Sequence, residues 1–199
     1  MLPDREKAEA MLVEAEKLNP GSWGNHSRVV AQCAKKVAKK AGLNSEKAYI
    51  VGLLHDIGRR EGVTNFRHII DGYDYLKKQG YDEVAKICLT HSFCIQDICM
   101  YIGVCDLTQE QYQRLEVLLK ECNYDDYDRL IQLCDSIALP TKAVDLDTRM
   151  EDVKRRYGSY PEEKRKKNFE LKKYFEEKMG QDLYVVVAEK TEDNSCVTN

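Results

Sequence analysis

The sequence predicts an all-α fold, a compact single-domain helical bundle, and three observations carry that reading. Apolar residues recur at i, i+3, i+4 and i+7 in one segment after another, instead of alternating as half-buried strands require. Glycines, prolines and capping residues separate the segments at short intervals. The 199 residues suffice for one well-buried core, with no linker, repeat or low-complexity tract to mark a boundary.

Taken in order, residues 4–18 place Ala8, Met11, Leu12, Ala15 and Leu18 on one stripe behind an acidic start, and Asn19-Pro20-Gly21 stops this first helix. Ser22 is positioned to cap a second helix, whose face of Trp23, Val30, Cys33 and Val37 also carries His26. Gly42 ends it. Ser45 is expected to cap a third, in which Ala48, Val51, Gly52 and Leu54 bring His55 onto the apolar face. Asp56 follows one step round, and Gly58 is expected to break the helix.

The stretch Arg59 to Asn65, basic at its start and containing Gly62, reads as an exposed, mobile loop. A fourth helix near Arg67 to Lys78 presents Ile69, Tyr73 and Leu76, flanked by His68 and Gly72. After Gly80 a fifth carries Val84, Ile87 and Cys88, with His91 completing the stripe. Phe93 to Val104 is apolar but short and fits no single element. A sixth helix begins at Asp106 to Gln109 and runs through Leu115, Leu118 and Leu119. Asp125 and Asp126 open a seventh, where Leu130, Ile131, Cys134, Ile137 and Ala138 form the apolar face and Pro140 makes the end.

Asp147 to Tyr157 and Pro161 to Lys178 read as two more helices closing over the core, the second with a stripe of Phe169, the Lys172 stem, Phe175 and Met179. Leu183 to Ala188 is equally compatible with a strand or a docked helix, and 191–199 is polar and expected to fray. The expected organisation is therefore one helical domain over 1–180 and a C-terminal segment over 181–199.

The net charge of −3 comes from 31 basic and 34 acidic residues that are interspersed, so no field of one sign points to nucleic acid or a membrane surface. The eight cysteines contain no C-x-x-C pair and lie mostly in apolar helical patterns, which reads as reduced, buried thiols. There is no signal-like start and no apolar run of about 18 residues to span a bilayer. A soluble, cytoplasmic protein is expected.

All four histidines, His26, His55, His68 and His91, fall on or beside core-facing stripes of separate helices. Asp135 lies among core residues, and an unpaired buried carboxylate carries a penalty of several kcal/mol unless it is protonated, ion-paired or metal-bound. No Lys or Arg lies within a turn of it on its own stripe. Imidazoles and carboxylates together suit iron, manganese, cobalt, nickel or zinc rather than the all-oxygen sites of magnesium and calcium. One metal needs about four such ligands, and two metals can share six.

His26, then His55-Asp56 within Leu53-Leu54-His55-Asp56-Ile57-Gly58, then Asp135 resembles the H…HD…D signature of the HD superfamily of metal-dependent phosphohydrolases, over roughly residues 22–140. His68 and His91 are similar to the extra ligands of its dinuclear branch. The resemblance implies an HD-type helical fold and two divalent transition metals, iron or manganese first, with zinc, cobalt or nickel as alternatives. It implies that His26, His55, Asp56 and Asp135 hold one metal, and that Asp56 bridges to a second held by His68 and His91. A bridging water or hydroxide would attack phosphorus, so that His55 and Asp56 count as catalytic. Arg59 stands where many dinuclear relatives have Lys, keeps the charge, and offers a planar fork to phosphate. Arg60 and Arg149 are weaker phosphate-binding candidates. The implied substrate is a small phosphorylated molecule, a nucleotide. The family also leaves open a mixed-valent di-iron oxygenase and a non-catalytic nucleotide-binding sensor.

Overall fold

A computed structural model describes residues 1–189; the 191–199 tail and Cys196 lie outside the described residues. Helix α1 (Arg5–Leu18) is capped by Asp4, whose carboxylate accepts from the Lys7 amide at 2.7 Å, and it buries Ala8, Met11, Leu12 and Ala15. Leu18, at its last position, is 57% exposed rather than part of that stripe. The turn at Asn19 follows at once, and Asn19 Nδ2 donates to the Arg59 carbonyl at 2.6 Å.

Helices α2 (Trp23–Lys40) and α3 (Ser45–Leu54) form the most extensive helix pair. They approach so closely that a Cβ on Gly52 would stand 3.0 Å from the Ala31 Cα. The expected caps differ. Ser22 precedes α2 with helical backbone and no side-chain cap bond. Asn44, one residue before Ser45, caps α3 by accepting from the Lys47 amide at 2.9 Å.

Helix α3 ends at Leu54, earlier than Gly58, so His55 and Asp56 occupy a turn and a short 3-10 segment (Ile57–Glu61) follows. The basic stretch expected to be exposed is thus partly structured: the side chains of Arg59 and Arg60 are only 30% and 11% exposed.

Helices α4 (Arg67–Lys78), α5 (Asp82–Thr90) and α6 (Gln109–Glu121) enclose a smaller apolar cluster that includes Phe66, Ile69, Leu89, Phe93 and Leu115. Between α5 and α6 the chain makes a loop with one 3-10 turn at Ile98–Met100. Asp106 does not start α6, which Thr108 and Gln111 cap reciprocally. Its carboxylate instead accepts from the Asn65 and Arg67 amides at 2.7 and 2.8 Å, fixing the entry to α4.

Helix α7 (Asp126–Asp135) has an Asp125/Asp128 capping box and ends at Asp135, five residues before Pro140. Asp135 is therefore a terminal residue rather than a mid-helix one, and Ile137 and Ala138 are buried in the turn that follows.

Helices α8 (Leu146–Tyr157), α9 (Glu162–Met179) and α10 (Leu183–Ala188) complete the described chain, which contains no strand. The buried stripe of α9 is Asn168, Leu171 and Phe175; Phe169 and Met179 are half-buried, and Lys172 pairs with Glu176 at 2.6 Å. The ambiguous 183–188 segment is helical and packs on α2 and α9. Cys33, Cys88, Cys94 and Cys134 are buried thiols, whereas Cys99 and Cys105 are exposed, and none of the described cysteines is in a disulfide. No described helix is long and apolar enough to cross a membrane.

Candidate metal centre

The four histidines come from four different elements, and each is delivered at or near a helix end. His55 follows α3, His91 follows α5, His68 is in the first turn of α4, and His26 is in the first turn of α2. Their exposures are 8% for His26, 1% for His55, 2% for His68 and 4% for His91. Three of the rings are oriented by the backbone. His55 Nδ1 donates to the Gly52 carbonyl at 2.7 Å, His91 Nδ1 to the Cys88 carbonyl at 2.9 Å, and His68 Nδ1 to the Asn65 carbonyl. A carbonyl oxygen only accepts, so each Nδ1 carries the proton and each Nε2 presents a lone pair.

Those lone pairs converge. His68 Nε2 and His91 Nε2 lie 3.4 Å apart, and Asp56 Oδ1 lies 3.1 and 3.6 Å from them. Three acceptors facing one another at these distances gain nothing from each other and are satisfied by a cation among them. On the other side, His26 Nε2 is 2.9 Å from Asp135 Oδ1, and His55 Nε2 is 4.0 Å from both Asp135 Oδ1 and Asp56 Oδ2. Among the described residues, His26, His55 and Asp135 form one potential metal-holding group and His55, Asp56 and His91 another, each with ligand atoms within 4.8 Å. His55 Nε2 and Asp56 Oδ1 are buried with no hydrogen-bond partner. Orphaned acceptors of this kind are costly in a metal-free fold and ordinary in a metal-binding one, so the donor set fits divalent transition metals.

The electrostatics agree. Burial pushes the His55 imidazole down and the His91 imidazole down to about 3, which keeps both neutral and able to ligate. Burial alone would raise the Asp56 carboxyl, but the Arg59 guanidinium leads the groups that outweigh it and hold it well below the usual carboxylate range. Burial also opposes ionisation of Asp135, but the His26 hydrogen bond and the surrounding imidazoles of His26, His55 and His91 together outweigh it and hold the carboxyl below the usual carboxylate range.

A cavity of about 480 Å³ opens beside this cluster and is lined by His26, Asp56, His68, His91 and Asp135. Of the arginines expected at phosphate, Arg59 and Arg149 line it. Arg59 Nε donates to Asp56 Oδ2 at 2.6 Å, so it also orients that carboxylate. Arg149 pairs through Nη1 with Asp152 at 3.0 Å, and its Nε is buried without a partner. Arg60 is not a lining residue: it stacks 4.0 Å over the Tyr75 ring and pairs with Glu14 at 3.3 Å, so packing between α1 and α4 removes it from the site.

Several lining residues carried no signal in the sequence. Lys164 and Arg156 are two cations among many in charged helices, and Tyr101, Tyr157 and Tyr160 lie in segments with no decisive pattern. A hydrogen-bonded support was also missed. Thr90 Oγ1 donates to Asp128 Oδ1 at 2.7 Å, and Gln132 Nε2 donates to the Thr90 and Phe93 carbonyls at 3.0 and 3.1 Å. Asp128, Gln132 and Asp135 share one side of α7, so the helix that supplies Asp135 also fastens the end of α5 that supplies His91. The spacing of those three residues was the available signal.

The chain is similar to known proteins over part or most of its length. Ribonuclease Y of Mesoplasma florum (strain ATCC 33453 / NBRC 100688 / NCTC 11704 / L1) is 40% identical over 60 residues, a match covering 30% of this chain and 12% of that protein. The crystal structure of the L. monocytogenes phosphodiesterase PgpH HD domain superposes with a TM-score of 0.44 at 16% identity, covering 81% of this chain and 94% of that one. The HD domain family matches residues 23–139, from the first residue of α2 to just past Asp135. That span exceeds half the sequence and takes in all six converging side chains, and the chain therefore belongs to the HD domain family.

Proposed function

We propose that this protein is a metal-dependent phosphohydrolase that cleaves a phosphate ester or anhydride of a nucleotide. The observation that carries the reading is the buried convergence of Nε2 lone pairs on the partnerless Asp56 Oδ1, beside a cavity with cationic and aromatic walls. On this reading His26, His55, Asp56 and Asp135 hold one divalent metal and Asp56, His68 and His91 a second, iron or manganese. When bound, such ions supply Lewis acidity toward water and toward phosphoryl oxygens.

The remaining work falls to the chain's own side chains. Arg59 uses Nε on Asp56 and Nη1 on the Thr64 carbonyl at 3.4 Å, which leaves Nη2 for a phosphoryl oxygen. Tyr101, whose ring stacks 3.9 Å from that of Phe66, and Tyr157 and Tyr160 give the cavity aromatic faces suited to a base. The cavity volume of about 480 Å³ suits a small molecule.

The test is phosphate or nucleotide release from a panel of nucleoside mono-, di- and triphosphates, cyclic nucleotides and dinucleotides. The protein is reconstituted anaerobically with Fe(II) or with Mn(II). Release that requires metal and is abolished by Asp56→Asn is expected. Absence of turnover across the panel, with metal stoichiometrically bound, would overturn the reading; substrate-dependent oxygen uptake by the iron form would replace it with oxygenase chemistry.

A further inference from the structure

Helices α8 and α9 and the turn between them lie beyond the 23–139 family span, yet they contribute Arg149, Arg156, Tyr157, Tyr160, Lys164 and Asn168 to the cavity wall. One face of α9 is fastened to the residues that follow two of the converging side chains. Lys164 Nζ donates to the carbonyl of Ser92, next to His91, at 2.9 Å, and to the carbonyl of Met100 at 3.1 Å. One turn later, Asn168 Oδ1 accepts from the hydroxyl of Ser136, next to Asp135, at 3.3 Å, while its Nδ2 donates to Tyr160 Oη at 2.7 Å. Lys164 is thereby held against the rim of the candidate metal centre.

Its charge is not neutralised there. Among the described residues no carboxylate lies within ion-pair distance of Lys164. An ammonium has three donors, and two are spent on carbonyls, which cancel no charge. Burial pushes its pKa down, opposed by Cys94 and Asp135, as expected of a cation missing a counterion. Across the same wall Arg149 has a buried Nε with no partner. Arg149 and Arg156 share one carboxylate, Asp152, each at 3.0 Å, and Arg156 also stacks on Tyr157. Arg59, Arg149, Arg156 and Lys164 face a cavity whose only carboxylate outside the metal-ligand candidates, among the described residues, is Asp152. The wall formed by α8 and α9 is therefore short of negative charge even though the chain as a whole is acidic.

We infer that Lys164, with Arg149, binds a second anionic group of the substrate, distinct from the phosphoryl group presented to the metal centre, so that the preferred substrate carries at least two anionic groups. The inference rests on the proposed phosphohydrolase reading for the first of those groups. It assigns substrate selection to the two helices outside the family span and gives Lys164 the role of a specificity residue that touches substrate. A monoanionic ester would leave the Lys164 ammonium without a counterion, whereas a di- or polyphosphate supplies one.

The probes are inorganic pyrophosphate and orthophosphate, titrated calorimetrically into the full chain, once as the metal-loaded protein freed of excess metal and once after chelation. Binding is read without turnover, so an inactive preparation still tests the site. Wild type is expected to bind pyrophosphate at least about tenfold more tightly than orthophosphate. Lys164→Met is expected to lose at least about tenfold on pyrophosphate and less than about threefold on orthophosphate, with Lys164→Arg restoring most of the loss. Arg149→Met is expected to act in the same direction, and the Lys164 effect to persist after chelation.

Equal losses on both anions, or no loss, with melting temperature and metal content unchanged, would overturn the inference. So would a Lys164→Met protein whose only defect is lower metal content, which would make Lys164 a structural clasp on Ser92. Failure of wild type to bind either anion in either form would overturn it as well. Pyrophosphate binding that depends on Lys164 in a protein that hydrolyses nothing would leave this inference standing while the phosphohydrolase reading fails.

Discussion

Gly58 and Gly72 meet where the 3-10 segment crosses α4: a Cβ on Gly58 would stand 1.9 Å from the His68 carbonyl oxygen and 2.4 Å from the Gly72 amide nitrogen. Gly58 is two residues past Asp56, and the carbonyl it approaches belongs to His68 itself, so this crossing fixes how those two side chains face each other. Backbone cannot yield as a flexible side chain can. Gly58→Ala is expected to cost about 3 kcal/mol or more, a fall in Tm of roughly 6–12 °C for a chain of this size. Gly72→Ala should cost less, because a Cβ there would meet its nearest neighbours, Cys88 Sγ and the Gly58 amide nitrogen, only at 3.1 Å. Thermal unfolding of the two variants checks this, and a Gly58→Ala protein melting with wild type would contradict the crossing.

Thr90 and Asp128 are both fully buried, and their 2.7 Å hydrogen bond ties the end of α5 to α7. Asp128 also accepts from Lys86 at 2.7 Å, so its carboxylate keeps a counterion when Thr90 is changed. Thr90→Val, close in shape but without the hydroxyl, is expected to cost about 1.5–3 kcal/mol, the range for a hydrogen bond to a charged partner. Because His91 is the next residue, metal affinity should fall as well, by roughly tenfold or more. Denaturant titration with and without metal separates the two effects, and unchanged values in both would refute the support role.

Much of this arrangement was legible because metal ligation constrains residue type. His26, His55, Asp56, His68, His91 and Asp135 stood out because imidazoles and carboxylates on apolar stripes need a reason to be there, and the structure brings all six together. Their local setting was less legible. The apolar run of α3 reads as continuing through His55, but the approach of Gly58 to α4 imposes a turn after Leu54, and that is a tertiary effect. Likewise the 137–138 pair kept its apolar character beyond the end of α7, so periodicity alone overshot to Pro140. Arg60 and Lys164 show the limit for charged residues. Each is one cation among many in sequence, and only packing sends Arg60 to Tyr75 and Lys164 to the cavity.

Glu16 and Arg28 form a two-pronged pair between α1 and α2, at 2.6 and 2.7 Å. The Arg28 hydrogen bonds hold the Glu16 carboxyl below its ordinary value of 4.5. With side chains 25% and 40% exposed, solvent screens the pair, and Glu16→Gln is expected to cost only about 0.5–1 kcal/mol at pH 7. The sign follows from linkage: the folded value lies below the unfolded one, so the contribution is complete above about pH 4.5 and disappears as pH falls through the lower folded value. Urea unfolding from pH 7 down to pH 4 should show wild type and variant converging on acidification. A gap that widens instead would show that the pair is not the source of the difference.

Asp56 differs from Asp135 in how many of the converging groups it faces, and this predicts unequal consequences for metal content. Asp56 Oδ1 lies near both His68 and His91 while its Oδ2 lies near His55, whereas Asp135 meets only His26 and His55. Asp135→Asn should therefore weaken one ion and retain the other, near His68 and His91, while Asp56→Asn should lose both. Asp56→Asn should also lower stability without metal, because Arg59 loses the carboxylate it is hydrogen-bonded to. Loading wild type at a free metal concentration 100 times Kd should add about 2.7 kcal/mol of stability for each independent site filled, which chelation reverses. Native mass spectrometry reads the stoichiometry and thermal unfolding the stabilisation. An Asp56→Asn protein that keeps the full wild-type metal content would show that the ions are held elsewhere.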